Sequence, residues 1–234
     1  MSLAPFVLYR NDRFAVVVKP AGMNFHSEAG EAGFVVLATE ALRQASENNA
    51  LTVYPVHRLD KMTSGLVLLA FKQEVAQAFQ TLFEQREIEK YYLAIATEKP
   101  KKKQGWVKGD MQPARRGSWK LTSTMDNAAI TRFISVSLGV KQRLFLVKPY
   151  TGKTHQIRVA LKSLGAPIAG DSRYEQQEKA QQEARGYLHA FALRFYLFGE
   201  KYAFSYPPTT GERFLTDTCV EQIQQWRQPW QAFC

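Results

Sequence analysis

The sequence predicts an α+β fold with a mostly antiparallel sheet. Three observations carry this expectation. Strand-like segments come in hairpin pairs, helical segments fall between some of them without strict alternation, and no linker or internal repeat divides the chain. With 234 residues, 45% of them hydrophobic, the chain can bury a substantial core.

Phe6–Tyr9 and Phe14–Val18 read as two strands joined by Asn11 and Asp12, and Pro20-Ala21-Gly22 stops the second. Phe34, Leu37, Ala38, Ala41 and Leu42 recur at helical spacing up to Glu47-Asn48-Asn49. Leu66–Phe71 is apolar on both faces, as a central strand is. Val75, Phe79, Leu82 and Phe83 mark an amphipathic helix that can cover it. "KYYLAIA" (90–96) is rich in strand formers. Residues 98–120, "EKPKKKQGWVKGDMQPARRGSWK", mix Pro, Gly and basic residues with Trp106 and Trp119 and read as a basic loop or extended hairpin. "AITRFISVSLG" and "QRLFLVKPY" form a hairpin around Gly139-Val140. Ile157, Ala160, Leu161 and Leu164 define a short helix ended by Gly165. "YLHAFALRFYL" and "KYAFSYP" make a last strand pair, and 216–228 a final helix.

The net charge is +10, and residues 101–150 alone hold eleven Lys and Arg against two acids, a local excess of +9. A patch so concentrated suits a polyanion, whose counterions it displaces. A membrane surface fits less well, because the basic segment is not an amphipathic helix. No apolar run reaches 18 residues, and the N-terminus lacks the pattern of a secretory signal. Cys219 and Cys234 suggest neither a disulfide framework nor a metal knuckle, so a cytoplasmic, reducing compartment is expected. The four histidines (26, 57, 155 and 189) lie in separate segments with no short ligand pair, which argues against zinc.

The densest chemistry lies in "HRLDKMTSGLVLLA", residues 57–70. Asp60, one of six aspartates, stands between Arg58 and Lys61 at the mouth of a predicted buried strand. Such a carboxylate can act as a nucleophile or a base. It can equally accept backbone N–H groups in a turn.

That string resembles, over its fourteen positions, the His-Arg-Leu-Asp-x-x-Thr-Ser-Gly signature of the RluA-type pseudouridine synthases. Other segments resemble further motifs of the family in the right order: "VVVKPAGMNFH", "KYYLAIA", "PYTGKTHQIRVALKSLGAPIAGDSRY" and "LHAFALRF". The resemblance runs from about residue 8 to about residue 206. Ala160 departs from it, standing where members often carry His, and the basic segment has no matching family signature.

The resemblance implies a mixed, mostly antiparallel central sheet flanked by helices, with two lobes around a catalytic cleft. It also implies isomerisation of uridine in a structured RNA, a tRNA or ribosomal RNA stem-loop, by a monomer that associates with no membrane. The reaction neither oxidises nor hydrolyses, so no metal or organic cofactor is expected. Asp60 would be the catalytic nucleophile or base. Tyr92 would stack on uracil and reach the carbon-five proton, while Tyr91 alternates to the core. Arg158 would hold Asp60 by a charge-assisted bond that can be bidentate. Arg58 would occupy the space of a flipped-out base. His57 and Thr63 join the expected RNA-binding set as residues that shape the loop. Lys19, Lys153, Arg115 and Arg116 are the expected phosphate contacts. Trp106 and Trp119 would stack on bases or pin their segment down. The whole chain, 1–234, is expected to be one catalytic domain without an N-terminal accessory RNA-binding domain, carrying 98–120 as an insertion. The rival expectation is a catalytically silent RNA-binding protein of the same fold. A glycosidase would want two acids about its bond, where this motif offers one.

Overall fold

The computed structural model describes residues 4–140 and 142–233. In chain order the elements begin with β1 (Phe6–Arg10), β2 (Phe14–Lys19), α1 (Phe34–Ser46), β3 (Tyr54–Pro55), β4 (Ser64–Ala70) and α2 (Gln73–Glu84). There follow β5 (Glu89–Ala96), β6 (Gln104–Gly109), β7 (Met111–Pro113), β8 (Trp119–Leu121), β9 (Ala129–Ser137) and β10 (Arg143–Pro149). The chain closes with α3 (Gln156–Ser163), α4 (Gln177–Ala180), β11 (Leu188–Leu197), β12 (Glu200–Ser205) and α5 (Asp217–Gln225). The expected α+β class is the observed one.

Ten strands share one sheet, in the order β1-β2-β4-β11-β5-β10-β9-β6, with β12 beside β11 and β3 beside β4. Among the described residues the sole parallel pairing is β11 with β4, at His189↔Ser64 and Ala190↔Gly65. β4 is buried along its whole length because helices cover both faces. Leu66 and Leu68 meet Val75 and Phe79 of α2, whereas Val67 and Leu69 share a cluster with Phe34, Ala38 and Leu42 of α1. A third cluster, around Leu93, Leu144 and Leu161, gathers β5, β10 and α3. The first two cores build one lobe and the third builds the other. At Gly65 φ is +112°, and a Cβ would stand 2.2 Å from the carbonyl oxygen of Ala190. Only glycine lets the two parallel strands approach so closely there.

The basic segment differs from its expectation. Gln104–Gly109 is not loop but the sheet's edge strand, paired antiparallel with β9 from Gln104↔Ile134 to Gly109↔Ala129. Its single large inward residue is Val107, so two glycines and a lysine hid the strand from a periodicity reading. Trp106 points outward, against Tyr150 and beneath Lys108 and Arg132, and pins this edge. Only β7 and β8 form a separate hairpin, with Arg115 and Arg116 at its tip.

No helix among the described residues is long and apolar enough to cross a membrane. Cys219 is buried and free, its thiol pushed up to about 12 by burial, while Cys234 lies outside the described residues.

Candidate active site

The loop from β3 to β4 delivers Asp60 to a cleft of about 670 Å³ between the lobes. A turn closed by the Thr63 N–H on the Asp60 carbonyl (3.0 Å) fixes its backbone. The carboxylate accepts Nη1 of Arg158, which reaches across from α3, at 2.9 Å. The Arg158 fork itself lies on another acid: Nε and Nη2 each donate to Asp171 at 2.8 Å. The expected bidentate bond therefore exists, but to Asp171, and Asp60 receives the third, single donor. Asp171 is fully buried and Arg158 is 7% exposed. Burial opposes the guanidinium's charge, yet the Asp171 bonds and then Asp60 hold its pKa above the ordinary value.

β5 places its two tyrosines as strand alternation requires. Tyr91 is buried against Trp230 and Phe233, and Tyr92 faces the cleft. Burial, then the nearby Asp60 carboxylate, raises the Tyr92 pKa, so the phenol keeps its proton at neutral pH. Lys90, two residues earlier on the same face, also lines the cleft, and burial lowers its pKa.

Three residues of the expected RNA-binding set are built into the fold around the Asp60 loop. Lys19 is 0% exposed, and its Nζ donates to the carbonyls of Pro20 (3.0 Å), Lys61 (3.2 Å) and Thr63 (2.9 Å). Burial, then Arg185, pulls its pKa down to about 7. A cation so enclosed cannot reach a phosphate; it ties β2 to the Asp60 loop. His57 accepts the Leu68 N–H on Nε2 at 2.9 Å and packs on Phe83, so it shapes the loop. Thr63, 2% exposed, belongs to the same turn and touches the cleft wall without projecting from it.

Arg58 is exposed at the cleft rim, and its guanidinium has no partner among the described residues. The side chains of Arg115 and Arg116, at the tip of the β7–β8 hairpin, are likewise exposed and have no partner among the described residues. Lys153 lines the cleft and gives one Nζ hydrogen to Asn127 at 2.6 Å. Sequence reasoning missed Lys90, His155, Asp171 and Tyr174 as site residues. All four lie inside the quoted motifs, but nothing local distinguishes a side chain aimed at the cleft from one that packs.

His57 and the buried His189 carry an acid-stability signature. Burial, then Lys90, lowers His57 from 6.5 to about 3, and burial, with Arg185 adding to it, brings His189 to about 3 as well. Each ring has a nitrogen committed as acceptor, to the Leu68 N–H and the Ser64 hydroxyl, and a proton there would break that bond. The unfolded chain takes up protons first, so this stability is complete above pH 6.5 and lost as pH falls toward 3. The expected slope is up to about 1.4 kcal/mol per pH unit for each histidine. A urea midpoint that stays flat across that window contradicts it.

Residues 13–163, more than half of the chain, match the family described as RNA pseudouridylate synthase. The chain belongs to that family. An uncharacterized RNA pseudouridine synthase of Haemophilus influenzae is 45% identical over 218 residues, which cover 93% of this chain and 94% of that one. A ribosomal large subunit pseudouridine synthase C of Rickettsia bellii is 33% identical over 79% of this chain and 62% of its own length. The human RNA Pseudouridylate Synthase Domain Containing 1 shares the fold, with a TM-score of 0.74 at 22% identity over 96% of this chain and 94% of that one. As a pseudouridine synthase the protein is an isomerase.

Proposed function

We propose that the protein converts a uridine in a structured tRNA or ribosomal RNA stem-loop to pseudouridine, with Asp60 as the catalytic carboxylate. The observation that carries this reading is the carboxylate held by Arg158 on the wall of a cleft that Lys153 and the exposed Arg58 also line. The bond from ribose C1′ to N1 breaks, the base turns, and C1′ bonds to C5. N1 gains a proton and C5 loses one, so the product is an isomer and no electron acceptor is needed. Asp60 initiates detachment, and Tyr92, a protonated phenol facing the cleft from β5, stacks on the base close to C5. A duplex-embedded uridine must leave its stack first, and Arg58, free at the rim, fills the space it vacates. Arg115 and Arg116 hold phosphates on the hairpin.

The direct test is pseudouridine mapping of cellular tRNA and ribosomal RNA with and without the protein. A site that depends on its presence supports the reading, and unchanged maps together with inactivity on those RNAs in vitro defeat it. Arg115→Ala with Arg116→Ala weakens RNA binding and flattens the salt dependence by about 1 in log–log slope per arginine. An unchanged slope removes the hairpin from the RNA surface.

A further inference from the structure

The segment Asp171–Tyr174 touches the Asp60–Arg158 pair and the basic hairpin at once. Asp171 clamps Arg158. Two residues on, Nη1 of Arg173 donates to the carbonyls of Gly117 (2.6 Å) and Arg116 (3.3 Å) at the hairpin tip. The Tyr174 hydroxyl accepts the backbone N–H of Trp119 on β8 at 2.9 Å and lies 2.8 Å from Nδ1 of His155. His155 sits just ahead of α3 with φ +57°, and its Nε2 faces the Asp60 carboxylate at 3.9 Å.

We propose that Tyr174 and His155 are positioning residues that couple the seating of RNA on the β7–β8 hairpin to the orientation of Asp60. This inference rests on the isomerase reading given above. With the Trp119 N–H accepted by the Tyr174 oxygen, the hydroxyl's own hydrogen is left for Nδ1 of His155. That assigns the ring's proton to Nε2, so an N–H dipole faces the carboxylate. The ring is neutral near pH 7, because burial and then the Arg158 guanidinium lower its pKa. Other charged groups around it are Arg173, Asp171 and Asp60. A proton on Nδ1 instead would turn the Nε2 lone pair on the carboxylate and repel it. The hairpin's own placement therefore fixes which face His155 shows to Asp60. A backbone amide beside the tip of the proposed RNA-facing hairpin thus lies two hydrogen bonds and one short gap from the Asp60 carboxylate.

The test uses the full chain. Tyr174→Phe keeps the ring that lies 5.0 Å beneath the Arg158 guanidinium and deletes only the hydroxyl. Its single-turnover rate on a substrate RNA is expected to fall about tenfold, with the Kd for that RNA unchanged within about twofold. His155→Ala should lose at least as much, whereas His155→Gln, which keeps an N–H donor near the Nε2 position, should recover most of the rate. A merely structural role would move folding or Kd and show no such rescue. Independently of activity, imidazole nitrogen NMR should show His155 protonated on Nε2 in the native protein and as a tautomer mixture in Tyr174→Phe. Unchanged rates in Tyr174→Phe, or the same tautomer in both proteins, overturn the coupling. If the native protein isomerises no RNA, the functional reading falls instead, and the NMR comparison still decides whether the hairpin sets the His155 proton.

Discussion

Asp60→Asn abolishes uridine isomerisation while leaving RNA affinity within a few fold. The substitution keeps shape and one acceptor oxygen and removes the negative charge, so the Arg158 Nη1 bond persists in weakened form. The proposed binding surface lies elsewhere, on the rim and hairpin cations, so the variant is expected to fold and to hold its substrate. An amide is neither nucleophile nor base at neutral pH, and the loss expected for removing a reacting group is at least about 10⁴-fold. The measurement is single-turnover conversion of a mapped substrate beside a binding isotherm. Conversion at the wild-type rate would end the assignment of Asp60. Loss of binding in parallel with activity would show that the carboxylate holds the fold or the RNA rather than the reaction.

The second large effect is expected away from the reacting atoms, at Asp171. Asp171→Ala leaves the buried Arg158 guanidinium with two of its three bonds gone, and only Asp60 to answer its charge. Breaking a buried, hydrogen-bonded pair by removing one partner costs about 3–5 kcal/mol. Asp171 also accepts the Arg173 N–H at 3.1 Å, so the turn toward the hairpin loosens too. Urea unfolding measures the loss. Combining Asp171→Ala with Arg158→Met removes the orphaned charge and should restore much of the stability while activity stays absent. If Asp171→Ala alone unfolds at the wild-type midpoint, the clamp is not holding Arg158 in the way its geometry indicates.

Much of the fold was legible because burial wrote it into local pattern. β4 reads as a central strand since helices cover both its faces, and Tyr91 and Tyr92 part because a pleated strand must send neighbours to opposite sides. What was not legible depended on contacts remote in sequence. Asp60 and Arg158 are 98 positions apart, and only the ordered motifs brought them together. Lys19 was misread because a lysine at a strand end ordinarily means solvent. Here three carbonyls turn inward to meet it, an arrangement that no spacing announces. Asp171 lies within a motif that also holds Arg158, but nothing in the local pattern shows that this arginine serves a second acid besides Asp60. One guanidinium has donors enough for both acids.

The central sheet passes from one lobe into the other without a break, since β11 is hydrogen-bonded to β4 on one side and to β5 on the other. Asp60 leaves the loop just ahead of β4 and Tyr92 rides on β5, so a shared backbone lattice separates them by a fixed span. Swinging the two walls together like jaws would mean breaking that lattice. Under the proposed function the protein would serve as an anvil and the polynucleotide would be what bends. Distortion would then fall on the RNA, and uridines that are weakly stacked at a loop or beside an irregular pair would yield most readily. Preference among targets would follow how easily each one deforms as much as its letters, in proportion to the work needed to draw the base out.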